Sequence, residues 1–403
     1  MSLQNIYRLQ AKLLEKVSLK HKRYLIHKID WSNRLIGILG QRGAGKTTLM
    51  LQYLKEYLDK EKAIYISLDM PYFQTNTLFE LAQEFEALGG EYLFIDEVHK
   101  YEKWSLDIKS IYDFLDLKVV FSGSSMLQIY SQDADLSRRA MIYNLESLSF
   151  REYLKMKDKE NFRVYTLEDI ISNHTTIAGE ITKNIKVLPY FREYLQFGAY
   201  PFCLEGEESY QQKIIAIVNQ ILEVDMPYVT NTDITQIKKI KKMFFMLSQS
   251  VPFVPNITDI AKATNISRPK VYEYLEYLER AKLLIALTSK EKGYNILKKP
   301  QKLFLHNTNL SYAFYKDANI GTARETFFAN QLKNSCKTLL EESCIYTSNQ
   351  GDFLVNEKYT FEIGGKNKGF QQIKGIKQSF VAADDIEIGF GNKIPLWLFG
   401  FLY

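Results

Sequence analysis

The 403-residue sequence is poor in the residues that build staples and metal cages: three cysteines (Cys203, Cys336, Cys344) and five histidines (His21, His27, His99, His174, His306). Three cysteines without a Cys-x-x-Cys pair form no even-numbered framework, which argues against a disulfide scaffold and a structural zinc site. The histidines are scattered, with no ligand spacing. No apolar run is long enough for a bilayer; the longest, IPLWLFGFLY at 394–403, reaches about half a span. The opening MSLQNIYRLQAKLLEK is charged and lacks the apolar stretch of a secretion signal. Repeats, low-complexity tracts and Pro/Gly-rich linkers are absent as well. These absences lead us to expect a cytoplasmic protein with no membrane partner.

What is present is ordinary in amount and uneven in place. Apolar residues make up 46% and charged residues 25%, the composition of a folded globular chain of two or three domains. Net charge is only +5, yet residues 1–34 carry eight Lys/Arg against Glu15 and Asp30, and residues 233–302 carry fourteen against six acids. The remainder is therefore acidic. Such asymmetry fits either a polyanion-binding face or solvated helix surfaces.

Up to about residue 146 the chain alternates helix-length segments with short apolar runs: RLIGILG (34–40), AIYISL (63–68), YLFIDE (92–97), KVVFSGS (118–124) and MIYNL (141–145). This pattern predicts an α/β unit with a parallel sheet buried on both faces. Directly after the first run comes Gly40-Gln41-Arg42-Gly43-Ala44-Gly45-Lys46-Thr47, followed by Thr48 and a helical stretch. Glycines at these positions let successive N–H groups face phosphates at a helix N-terminus. Lys46 would meet the β/γ-phosphates and the Thr47 hydroxyl Mg²⁺. The third run ends in Asp96-Glu97, where Asp96 can hold the Mg²⁺ hydration shell and Glu97 can orient and deprotonate water. No Asn-Lys-x-Asp sequence selects guanine, so ATP is the expected nucleotide.

Five segments, GQRGAGKTT (40–48), YLFIDEVHKYEKW (92–104), VVFSGSS (119–125), DLSRRAMIYNLESLSFREYL (135–154) and FGAYPFCLE (197–205), together resemble the AAA-type ATPases of the additional-strand P-loop branch. The chain looks closest to a prokaryotic family in which such an ATPase precedes a restriction-endonuclease-like domain. The resemblance implies a polar sensor at the end of the fourth strand, Ser124 in preference to Ser122. It also implies an arginine that contacts phosphate, from the same or a neighbouring subunit, at Arg139. Where the relatives read glycine this chain has Arg138, so the choice between the two arginines stays open. An oligomer is compatible with that role.

From residue 256 the chain reads as two short helices and an apolar run. Thr258 starts the first helix, and Ser267 with Pro269 the second. Val271, Leu275 and Leu278 form one stripe. With Leu283–Leu287 and the basic turn from Lys290, this looks like a winged helix-turn-helix. Arg268 and Lys270 would contact DNA, and Lys290, Lys292, Lys298 and Lys299 the backbone. The rival is a lid or protein-docking module.

Near the C-terminus, GDFLV (351–355) and YTFEI (359–363) read as a hairpin centred on Glu357. Asp352 and Glu362 would then face one another across it. This resembles the Asp…Glu-x-Lys core of restriction-endonuclease-like folds, with Glu325 as a further ligand. The lysine expected two residues after Glu362 is Gly364; Lys366 shares the parity and could substitute, with Gln371 and Gln372 beyond. The departure favours a nuclease-derived scaffold that no longer cuts. The expected division is 1–150 ATPase, 151–305 helical and winged-helix, and 306–403 endonuclease-like. The expected activity is Mg²⁺-dependent ATP hydrolysis controlling the rest of the chain. The rival outputs are a slow switch for protein partners and an ATP-gated nuclease.

Overall fold

A computed structural model describes residues 3–125, 136, 138–227, 233–250, 252, 254–290, 300–315, 318–336 and 344–403. Its contacts divide the chain into two units, Met1–Glu146 with Glu223–Thr232, and Ser147–Leu222 with Asp233–Tyr403. Apart from Glu223–Thr232, the segments 151–305 and 306–403 divided in the sequence fall together in the second.

In the first unit, strands β1 (Leu35–Gly40), β2 (Ala63–Ser67), β3 (Tyr92–Asp96), β4 (Lys118–Ser124) and β5 (Met141–Leu145) form one sheet in the order β2-β3-β4-β1-β5. Every pairing is parallel. Successive residues serve opposite faces, as strand geometry demands. Leu35, Leu39, Leu93 and Ile95 pack on one side with helices Leu78–Ala87 and Trp104–Phe114. Ile36, Ile38 and Phe94 pack on the other against helix Lys46–Tyr57. Strand β4 lies between β1 and β3, so its polar end falls between the phosphate loop and the acidic pair.

The open edge of β2 is covered by helix Leu3–Lys16. The Gln10 side chain donates to the Ala63 carbonyl at 3.0 Å and accepts from the Tyr65 N–H at 2.6 Å. One amide side chain thus satisfies two edge groups that would otherwise remain unpaired.

The second unit opens with helices Phe150–Met156, Leu167–Asn184, Val187–Phe197 and Glu207–Gln220. Helices Ile257–Thr264 and Arg268–Arg280 are joined through Asn265, in the left-handed region at φ 55°. They lead into β6 (Leu284–Leu287), antiparallel to β7 (Lys302–Leu305). Lys292, Lys298 and Lys299 lie outside the described residues. A mixed sheet in the order β12-β11-β10-β9-β8 follows, from β8 (Ile345–Thr347), β9 (Phe353–Val355), β10 (Tyr359–Gly364), β11 (Ser379–Ala383) and β12 (Lys393–Pro395).

The β9–β10 ladder runs from Tyr359↔Val355 to Phe361↔Phe353, the register that a turn centred on Glu357 predicts. Asn356 and Glu357 both take positive φ, 49° and 54°, as the tight hairpin turn that matches strand twist requires. Cys336 and Cys344 depart from the expectation: they form a disulfide, with Cα atoms 6.1 Å apart. The pair staples the end of helix Ile320–Ser335 to the start of β8, a tertiary closeness that spacing alone does not disclose.

The apolar tail 394–403 is core. Trp397, Phe399, Phe401 and Tyr403 are buried, and Phe399 meets Phe328 and Phe361 with ring centroids at 4.7 and 5.5 Å. Removing a buried ring leaves a cavity that close-packed neighbours refill only in part, so Phe399→Ala should cost about 3–5 kcal/mol. Chemical denaturation of the full chain measures it, with a loss under about 1 kcal/mol contradicting the packing.

Candidate active site

The phosphate loop joins β1 to helix Lys46–Tyr57 and has the backbone such a turn needs. Gly45, which precedes the helix, has φ 94°, a conformation open to glycine at little cost. A Cβ at Gly40 would lie 2.4 Å from the Leu145 carbonyl. Lys46 is buried, and its ammonium donates to the carbonyls of Gly40 (2.8 Å) and Gln41 (3.1 Å). Burial pushes its pKa down from the ordinary lysine value, against the opposing pull of Glu97 and Asp96. The Gln41 side chain is buried with neither amide atom hydrogen-bonded.

Asp96 ends β3 and is 2% exposed. Its Oδ2 accepts from Thr47 Oγ1 at 2.6 Å and from the Tyr65 hydroxyl at 2.7 Å. Its Oδ1 accepts from Ser122 Oγ and from the Glu97 N–H. Burial and then the Asp96 charge raise the Tyr65 pKa, holding that phenol as a donor. The carboxylate is met by neutral donors, and no residue among those described forms an ion pair with it. Beside the Thr47 hydroxyl this is a hard-oxygen donor set suited to Mg²⁺. Bound there, the ion would supply positive charge at the β/γ-phosphates.

Glu97 takes the left-handed region, φ 54° and ψ 42°. For a residue with a Cβ this costs roughly 1–2 kcal/mol and is a form of strain that gathers at functional sites. Its Oε2 is 3.3 Å from His99 Nε2 and 3.9 Å from an Arg42 nitrogen. Both of those groups also face Asp225. Arg42 lies 3.0 Å from Asp225, Lys100 3.1 Å and His99 Nε2 3.6 Å.

Ser124 lies opposite Gly40 in the β1–β4 register, while Ser122 is the serine on Asp96. Arg139 makes a two-pronged pair with Asp113, at 3.1 and 3.2 Å, and lies over the Tyr112 ring. Arg138 is exposed. Thus Lys46, Thr47, Asp96 and Glu97 come together, whereas Arg139 is engaged on helix Trp104–Phe114. Tyr65 and Asp225 escaped the sequence reading. Tyr65 gave a signal, a phenol in an otherwise aliphatic strand; Asp225, more than 120 residues from its partners, gave none.

In the second unit, Arg268 donates to Thr258 Oγ1, and Lys270 pairs with Glu273 at 2.7 Å. Lys302 pairs with Glu325 and lies 3.9 Å from Asp352. Lys366 is exposed; the lysine that reaches Glu362 is Lys368. The strand stops at Gly364, and a turn from Gly365 to Lys368 swings the later side chain back. Glu325 and Glu362 have raised pKa values, chiefly from burial and further from the neighbouring Asp352 charge, with their lysines opposing. Among the described residues no group of three or more His, Cys, Asp or Glu is arranged to hold a metal ion. No helix among them is long and apolar enough to cross a membrane.

Residues 32–154 match a family model described as an AAA domain. This stretch is similar to AAA domains. Residues 188–320 match a domain of unknown function (DUF8612). Two proteins of Methanocaldococcus jannaschii are similar to the chain. Uncharacterized protein MJ1637 is 24% identical over 402 residues, covering 91% of this chain and 84% of its own length. Uncharacterized protein MJ1544 is 26% identical over 274 residues, covering 64% of this chain and 57% of its own length. Two solved structures are also similar, the Saccharomyces cerevisiae Hsp104–ADP complex and Caenorhabditis elegans PCH-2. Their identities are 16% and 14% and their TM-scores 0.27 and 0.25; they cover 70% and 69% of this chain, and 39% and 66% of their own.

Asp225 provides a direct test of the charge network. Burial raises its pKa, but hydrogen bonding to His99 and the charges of Arg42, His99 and Lys100 outweigh this and hold it at about 2. A depressed carboxylate stabilises the fold above its unfolded pKa of about 4, and this contribution is lost as pH falls through about 2. Asp225→Asn should therefore cost about 2 kcal/mol at neutral pH by this linkage. In denaturant titrations the difference from wild type should shrink as pH drops toward 2; a pH-independent difference contradicts the charge origin.

Proposed function

We propose that the protein is a Mg²⁺-dependent ATPase whose nucleotide state controls the second unit. The observation that carries this reading is the joining of Lys46, Thr47, Asp96 and Glu97 around one phosphate loop. ATP would place its phosphates against the loop N–H groups, and Lys46 and Gln41 would exchange their present environment for phosphate oxygens. Glu97 takes a proton from water as the water oxygen bonds to the γ-phosphorus. The β–γ bridging bond breaks, and ADP leaves with its electron pair.

The control reading is supported by Glu223–Thr232. The chain enters this segment from the second unit and returns to it afterwards, yet the segment belongs to the first. Its Asp225 holds Arg42 of the phosphate loop, so phosphate that attracts Arg42 competes with the anchor of that segment. In the second unit, the helix pair and β6–β7 support the winged-helix reading as the output. DNA there would meet Arg268 and Lys270 only after they leave Thr258 and Glu273; a protein partner is the other output. Glu97→Gln should keep ATP binding while lowering turnover by at least a hundredfold, by loss of the general base. Phosphate release and equilibrium nucleotide binding separate the two, and near-normal turnover in the variant removes Glu97 from that role.

A second reading concerns Glu325, Asp352 and Glu362. Lys302 and Lys368 occupy the space among these carboxylates, meeting the charge that a catalytic metal would otherwise meet. This favours a nuclease-derived scaffold without cutting activity. Supercoiled plasmid incubated with the full chain, ATP and Mg²⁺ or Mn²⁺ should stay unnicked. Nicking abolished by Asp352→Ala would reverse the assignment.

A further inference from the structure

A cavity of about 580 Å³ opens beside the acidic pair; Thr47, Asp96 and Glu97 line it together with Lys12, Lys16 and Asp69. Its size is that of a small-molecule site. Thr47 and Asp96 mark the β/γ end of the phosphate loop, and Glu97 must address water beyond the γ-phosphorus. The cavity is therefore the space into which a γ-phosphate and its attacking water project. Charge builds on the transferred phosphoryl oxygens during the reaction, and cations fixed around them lower the barrier.

Lys46 supplies such a charge from the loop side. The arginine that the sequence suggested is held by Asp113. Lys12 and Lys16 are one turn apart on one helix, so they share a face. Both are exposed, and neither has an ion pair or side-chain hydrogen bond among the described residues. Their helix is placed firmly: Leu3 and Ile6 enter the core beside the sheet, and Gln10 is bonded into the edge of β2. The lysines are thus flexible cations on a fixed support.

We propose that Lys12 and Lys16 of the N-terminal helix contact the γ-phosphate in cis, making that helix part of the site that distinguishes a nucleoside triphosphate from its diphosphate. This rests on the ATPase reading for the identity of the ligand. Each lysine is a point charge able to follow the phosphoryl oxygens, and ADP offers nothing at that position.

The test uses the full chain with Mg²⁺ and compares equilibrium affinity for ATP, its non-hydrolysable analogue and ADP. In the Lys12→Ala/Lys16→Ala variant the preference for triphosphate over diphosphate should fall about tenfold, the loss of roughly one charged hydrogen bond. ADP affinity should stay at the wild-type value, and Lys12→Arg/Lys16→Arg should restore the preference. Lys16→Glu, one substitution at an exposed position, should lower triphosphate affinity further without changing the melting temperature. An unchanged triphosphate preference in the double alanine variant overturns the proposal. Because the readout is binding, a wild-type chain that binds ATP but never hydrolyses it would defeat the ATPase reading and leave this test intact.

Discussion

The first unit is organised around one buried carboxylate. Asp96 gathers the Thr47 hydroxyl from the loop helix, the Tyr65 phenol from β2, the Ser122 hydroxyl from β4 and the Glu97 N–H from its own chain. An unpaired charge at 2% exposure would be costly, and four donors make it tolerable. Those donors come from separate elements, so satisfying the carboxylate also fixes the relative positions of β2, β3, β4 and the phosphate loop. The sheet order is part of the same constraint. Only with β4 between β1 and β3 can a serine of β4 reach the acid at the end of β3 while the next serine lies beside Gly40.

Much of this was legible in local sequence, because the chemistry of each piece is local. A parallel sheet covered on both faces needs short, continuously apolar strands, and the five runs from RLIGILG to MIYNL are such strands. The glycines of the loop and the acids ending β3 are likewise bound to their elements. The β9–β10 register followed from counting outward from Glu357, since antiparallel pairing conserves the sum of partner numbers. What escaped was held together by tertiary approach. Asp225 reaches Arg42 across 183 residues, and Cys336 meets Cys344 because a helix end and a strand start converge. Lys368 replaces Lys366 beside Glu362 because a glycine pair ends the strand and turns the chain, which parity counting does not see.

The two acidic centres of the chain differ in how their charge is met. Asp96 is surrounded by hydroxyls and an N–H, donors that stabilise a carboxylate while leaving it able to attract a cation. Glu325, Asp352 and Glu362 instead have lysine ammoniums among them, and burial, with a smaller push from the Asp352 charge, still raises the pKa values of Glu325 and Glu362. A divalent ion entering the second cluster would have to displace Lys302 or Lys368, exchanging one compensated charge for another. Near Asp96 it would displace no cation. This physical contrast, more than the identity of the acids, distinguishes the two centres as sites for a cation.

The remaining asymmetry lies in how Glu97 is held. Its backbone is fixed in a strained left-handed turn, while its carboxylate is shared with His99 and Arg42, which are shared in turn with Asp225. Arg42 thus stands between two carboxylates, 3.9 Å from Glu97 and 3.0 Å from Asp225, and any movement of its guanidinium changes both contacts. Movement toward phosphate would weaken the hold on Asp225 and on the segment that carries it. Under the proposed control, nucleotide binding and release of that segment would compete for one guanidinium, and such competition would make the coupling reciprocal.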